Sequence, residues 1–224
     1  MSAIAITNPI VRPPAGRSGQ ELCLPHVSWE DYERLGEIFR DRPNLRMTYD
    51  RGDLEFMTLS NEHEFYKKVI SRLLEAALDE LGIDYYSAGS VTFKRQDLDR
   101  GLEPDDCFWI AHEQIMRGRI DYNPASDPPP DLVIEVEVSR SVLNRIGIYA
   151  ALKVPEIWRF DRSKITVLRL EQSGMYVESA SSPTLLDVPL NGFVPFSVPD
   201  TSKPTSQVVR EFRSWVAQYR KEPR

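Results

Sequence analysis

Apolar positions along this chain follow two periods. Between Glu62 and Leu81 they recur every fourth residue, at Phe65, Val69, Leu73, Ala77 and Leu81, with Ile70, Leu74 and Leu78 widening the stripe. That spacing predicts an amphipathic helix, opened by Ser60-Asn61 and closed by Gly82. A shorter helix is predicted from Ser28, a capping residue with Asp31 three positions on, to Asp41, ahead of Pro43. A third covers Thr205–Arg220. Elsewhere the period is two. LRMTYDRGDLEFMTL reads as a hairpin around Asp50-Arg51-Gly52-Asp53, and Lys164–Leu170 with Met175–Ser179 as a second. Further strands are expected within 83–95, at Cys107–Ile110, at 132–136, at Glu156–Phe160 and in a Pro-containing region ending at Val198. Gln96–Gly101 reads as a polar turn. Residues 111–130 form a long polar connection without an element of its own, a signature of a functional loop or flap. Residues 1–27, rich in Pro, Gly and Ser, are expected to be a mobile arm before one α/β domain over 28–198. Residues 199–224 should form a C-terminal helix packing on it.

One stretch breaks the pattern. PDLVIEVEV, from Pro130, is a β-branched apolar run with Glu135 and Glu137 set inside it. Carboxylates in a segment that otherwise wants burial are costly unless a cation compensates them. Two further acids are placed to join them. Asp105 enters the 107–110 strand, and Glu62 falls within the apolar stripe of its helix at 100° per residue. If the strands carrying Asp105 and Glu135 are neighbours, their oxygens would suit Mg²⁺ or Mn²⁺. Glu137 shares strand parity with Glu135 and is taken as a further ligand.

Other polar residues are read more plainly. Alternation separates Glu55 and Met57 from Leu54 and Phe56, leaving Glu55 either at the sheet's functional edge or, the simpler reading, solvent-facing. Asp131 opens a strand, Glu156 pairs with Arg159 or caps a turn, and His63 is packed or hydrogen-bonded. Trp109, Trp158 and Trp215 read as core or interface. Three scattered histidines exclude a His-rich metal site.

Net charge is −6, from 28 basic and 34 acidic residues. Binding nucleic acid would therefore need a local basic face or a bound cation. Apolar runs stay short of the roughly 18 residues that span a bilayer. Two cysteines outside any CxxC pair, with no secretion signal, make a cytoplasmic protein the expectation.

The order of helix acid, Asp on one strand, Glu on the next and a following helix resembles the PD-(D/E)xK nuclease superfamily. More closely, the chain resembles the Uma-two family of restriction-endonuclease-like proteins. The matching positions are Tyr49, Gly52, Leu54-Glu55-Phe56-Met57, Ser60, Glu62-His63-Glu64, Pro104-Asp105, Pro130-Asp131-Leu132-Val133-Ile134-Glu135-Val136, Tyr149 and Val154-Pro155-Glu156-Ile157-Trp158. They cover roughly residues 28 to 195.

The resemblance implies a restriction-endonuclease-like α/β fold, a central mixed sheet flanked by helices. It implies Mg²⁺-dependent (or Mn²⁺-dependent) hydrolysis of DNA, with Asp105 and Glu135 as metal ligands and Glu62 as helix acid. The superfamily lysine two residues after the Glu is Glu137 here. In the family that lysine sits in the next helix, where this chain has Arg145, one turn before Tyr149. Arg145 can stabilise phosphate charge but cannot act as a base, since a guanidinium pKa stays above about 12. Lys153 is a more distant stand-in. A homodimer is expected, C2 being the commonest closed assembly. The competing expectation is a catalytically inactive nuclease-fold module that binds DNA or a protein partner.

Overall fold

A computed structural model describes residues 21–42, 44–138 and 141–219. In chain order these form β1 (Glu21–Leu24), α1 (Trp29–Phe39), β2 (Leu45–Asp50), β3 (Asp53–Thr58), α2 (Asn61–Leu81), β4 (Tyr86–Ser87), β5 (Phe93–Arg95) and β6 (Arg100–Leu102). Then come β7 (Asp106–Trp109), α3 (Glu113–Met116), β8 (Leu132–Val136), α4 (Arg145–Ala151), β9 (Glu156–Phe160), β10 (Ile165–Leu170), β11 (Tyr176–Ser179), α5 (Val194–Ser197) and α6 (Thr205–Val216).

The helix signals work as read. Ser28 accepts from the Asp31 amide, and Ser60 from the His63 amide. Gly82 ends α2 at φ +68°, a left-handed turn that residues with a Cβ resist.

The strands make two sheets. The larger is mixed, in the order β11-β10-β9-β8-β7-β4, with β8 and β9 parallel and the other pairs antiparallel. Parallel neighbours need a long crossover, and α4 lies within it. One face of this sheet buries Phe108, Leu132, Ile134, Val136, Trp158 and Phe160 against α2 and α6. The opposite face buries Cys107, Trp109, Val133 and Ile157 against Ile148 and Tyr149 of α4, Leu152 just after it, and Phe93 and Leu102 of β5 and β6. Burial on both faces is why β8 is a continuous apolar run apart from Glu135. By parity, Asp105 and Glu135 both lie on the α4 side.

The second sheet, β1-β3-β2-β6-β5, is entirely antiparallel. On one face Met47, Tyr49 and Leu54 pack with Tyr32 of α1. Gly101 of β6 permits that packing, because a Cβ there would lie 2.3 Å from the Tyr32 hydroxyl. On the other face Arg46 and Thr48 stand opposite Met57 and Glu55.

Several expectations need correction. The mobile arm expected over residues 1–27 does not hold for its last part: Glu21–Leu24 pairs with β3, and residues 1–20 lie outside the described residues. Within Gln96–Gly101, Asp99 takes φ +53° and Arg100 already begins a strand. The 111–130 connection is not a free flap. It carries one helical turn, buries Met116, and its Pro128 carbonyl accepts from the Trp109 indole. The expected strand region before Val198 is instead a short 3-10 turn and α5. Pro189 and Pro195 have no N–H to give a ladder, and Phe193 and Phe196 pack on Phe212 of α6.

Candidate active site

Where the two sheets meet, a cavity of about 60 Å³ is lined by Arg46, Thr48, Met57, Leu59, His63, Asp105, Glu135, Val136, Glu137, Ser141 and Arg145. Asp105 immediately precedes β7 and Glu135 lies in β8, and these strands are antiparallel neighbours. The Val136 amide donates to Asp105 Oδ2 at 2.6 Å, so the two acids share one corner of the sheet. A more open cleft of about 530 Å³ shares Glu135, Glu137, Ser141 and Arg145 with the cavity and extends to Asn144, Arg159 and Asp161.

Each acid carries its own arginine. Asp105, 2% exposed, pairs with Arg46 Nη1 at 2.7 Å and with His63 Nε2 at 3.1 Å. Burial alone would raise the Asp105 carboxyl; the Arg46 guanidinium, His63 and the Val136 amide outweigh it and hold it down at about 2. Glu135 pairs with Arg145 Nη2 at 2.6 Å and also accepts from the Tyr149 hydroxyl. Arg145 and Tyr149, one helical turn apart, thus hold one carboxylate from one face of α4. Arg145 further donates to Thr48 Oγ1 and to the Glu103 carbonyl, both at 2.7 Å. Burial would lower the Arg145 pKa, but Glu135, Tyr149 and Asp105 outweigh it and raise it. The Glu103 carbonyl also accepts from Arg46 at 3.2 Å. Two guanidiniums therefore converge on one oxygen, their mutual repulsion offset by two carboxylates.

The cavity thus gathers Asp105, Glu135, Arg145 and, at its edge, Glu137. Glu137 is partly exposed and paired with Arg159. Glu62 is not among the lining residues: the expected inward direction is wrong, and Glu62 is exposed and bonded to Arg162 Nε at 2.7 Å. In the first turn of α2 it is the next residue, His63, that turns in. Lys153, at φ +61° just beyond α4, lines a different hollow with Tyr122 and Pro129.

Three other acids hold loops. Glu55 is buried, not solvent-facing, and accepts from the Ser141 hydroxyl and the Val142 amide. It therefore anchors the segment between β8 and α4. Asp131 accepts from the Ile110 and His112 amides and from the His112 ring. Glu156 is buried without the expected Arg159 partner; Trp158, Ser182 and Thr184 donate to it. Sequence reasoning passed over Arg46. The signal was the alternation of β2, which sets Arg46 and Thr48 opposite Met47 and Tyr49.

Whether a divalent cation suits this corner can be judged from the donors. Among the described residues no three His, Cys, Asp or Glu side chains form a ready-made cluster. Mg²⁺ does not require one: it commonly uses one or two carboxylates and keeps several waters. Asp105 and Glu135 are hard oxygen donors at one cavity, so the donor set fits in kind. Both are also bonded to arginine, so a cation must compete for them.

A mixed sheet with a helix on each face, and paired acids where β7 meets β8, define a restriction-endonuclease-like α/β protein. The family model described as "Uma2: Putative restriction endonuclease" matches residues 29–198, and the chain belongs to that family. Family and fold together point to a nuclease. Three solved chains match. One is the crystal structure of "a putative nuclease belonging to DUF820 from Anabaena variabilis ATCC 29413", 14% identical, with 76% of this chain and 90% of that chain covered at a TM-score of 0.43. None of the curated proteins matches. No helix among the described residues is long and apolar enough to cross a membrane.

Proposed function

We propose that the chain is an endonuclease that hydrolyses DNA phosphodiester bonds with Mg²⁺ or Mn²⁺ held by Asp105 and Glu135. The supporting observation is the placement of these acids where β7 meets β8, at one cavity, with the guanidiniums of buried Arg46 and half-buried Arg145 beside them. A bound divalent cation lowers the pKa of water and neutralises charge growing on the phosphate. The chain's own groups supply the rest. Arg145, fixed by Glu135, Thr48 and the Glu103 carbonyl, presents a permanent positive charge towards the cavity. Tyr149 steadies Glu135, and His63 with the Val136 amide orients Asp105. The adjoining cleft offers a path for a nucleic-acid strand, with Arg159 at its side. Glu137 stands at the cleft as a candidate outer ligand. Glu62 keeps a role only if Arg162 releases it. A cytoplasmic homodimer belongs to the same reading.

The test is nicking of supercoiled plasmid with Mg²⁺ or Mn²⁺. Asp105→Asn and Glu135→Gln are expected to abolish cleavage while retaining the native circular dichroism spectrum. Cleavage that persists unchanged in both variants overturns the reading.

One observation favours a second reading, a catalytically silent module that binds nucleic acid. Each carboxylate already carries an arginine, which leaves the corner neutral. Calorimetry with Mn²⁺ separates the two, because a silent module shows no heat that depends on Asp105 or Glu135.

A further inference from the structure

Arg46 reaches its position through three partners. The side chain is 6% exposed, donates to the Ser90 hydroxyl at 3.1 Å and the Glu103 carbonyl at 3.2 Å, and pairs with Asp105 Oδ1 at 2.7 Å. Asp105 Oδ2 is bonded to His63 and the Val136 amide. Both oxygens of the acid are therefore spent, and Arg46 is its closest positive charge. Ser90 and the Glu103 carbonyl would still hold the guanidinium if the Asp105 contact broke. Ser90 is itself braced, accepting from Lys67 Nζ at 2.8 Å and donating to the Asp105 carbonyl at 3.2 Å.

We infer that Arg46 is a built-in competitor for the metal: its guanidinium occupies Asp105 in the resting site, and a divalent cation binds there only by displacing it. This rests on the reading of Asp105 as a metal ligand. Two physical consequences follow. The site's affinity for a divalent cation is set by Arg46 as much as by the acids, because the ion–carboxylate attraction is offset by the loss of a buried ion pair. The displaced guanidinium, still tethered at its far nitrogen, also stays beside the cavity, where an anionic phosphate oxygen is the natural replacement for the carboxylate. The arginine thus protects a buried acid when metal is absent and turns towards substrate when metal is present.

The experiment is Mn²⁺ titration calorimetry on the full chain, without DNA. Arg46→Gln is expected to bind Mn²⁺ roughly tenfold or more tightly than the unmodified protein, as close charge pairs couple by at least about a factor of ten. Arg213→Gln removes the same unit charge from an exposed pair with Asp79, on α6 and α2 outside the cavity, and controls for the general field; its affinity should shift by no more than about twofold, because exposed pairs couple weakly. Arg46→Lys keeps charge with a smaller head, serves if Arg46→Gln does not fold, and should bind Mn²⁺ more tightly than the unmodified protein. Equal or weaker Mn²⁺ binding by the Arg46 variants overturns the inference but leaves the nuclease reading standing. Equal tightening in Arg213→Gln also overturns it. Absence of Mn²⁺ binding in every protein, the unmodified one included, removes the metal-dependent reading and this inference together.

Discussion

The Arg145–Glu135 pair joins α4 to β8, and breaking it should be felt by the whole fold. The side chains are 12% and 13% exposed and meet at 2.6 Å. Unit charges about 4 Å apart attract by about 4 kcal/mol at an effective dielectric near 20. Removing one partner of a buried pair leaves the other uncompensated and costs roughly 3–5 kcal/mol. Arg145→Met should therefore destabilise the protein by about that amount, since Tyr149 alone then holds Glu135 and Thr48 and the Glu103 carbonyl lose a donor. Glu135→Leu should cost a similar amount. The double variant should cost less than the sum of the two by about 2 kcal/mol or more, because an apolar pair of similar volume avoids the desolvation penalty. Urea unfolding followed by the fluorescence of the fully buried Trp109 and Trp158 measures all four corners of the cycle. Single losses that add to within about 0.5 kcal/mol would refute the reasoning, for the charges would then be solvated independently.

Glu156 is 1% exposed and fixes the segment after β11 to β9 through Trp158, Ser182 and Thr184. Glu156→Gln puts an amide donor among donors and should cost roughly 2–4 kcal/mol in thermal or urea unfolding, as hydrogen bonds to charged groups contribute about 1.5–3 kcal/mol each. The Asp105 carboxyl, depressed to about 2, lies below its unfolded value near 3.9. Its contribution to stability is therefore complete above the unfolded value and is lost as pH falls through that window towards 2. In chelator-treated protein, Asp105→Asn should accordingly flatten the decline of urea stability between about pH 5 and pH 2; an unchanged slope would show the carboxyl is not held down.

Much of the scaffold can be read from local pattern. Period four and the Ser60 and Gly82 signals mark α2 to within a residue, and alternation with Arg51-Gly52 marks the β2–β3 hairpin. Both depend on interactions within a few residues. The same locality explains why Glu135 could be singled out, because an acid inside an apolar run announces an unmet cost; Asp105 lies outside such a run and is marked by its place at a strand start and by the family resemblance. The helical wheel failed at Glu62 because a first-turn residue obeys the cap and its neighbours more than the stripe, and Arg162 lies 100 residues away in sequence.

By itself, then, the sequence determined α1, α2, α6 and the two hairpins, and marked Glu135 as an acid in need of a partner, because propensity, capping and hydrophobic period act over one or two turns. Tertiary structure alone decided who the partners are. It brought Arg46 from the second sheet to Asp105, placed Arg145 and Tyr149 on Glu135, and buried Glu55 against the loop that leads to α4. These pairings join residues from separate elements, and a charge's worth depends on the burial and geometry it finds there. The acids that read as candidate metal ligands in the sequence are, once folded, each paired with an arginine.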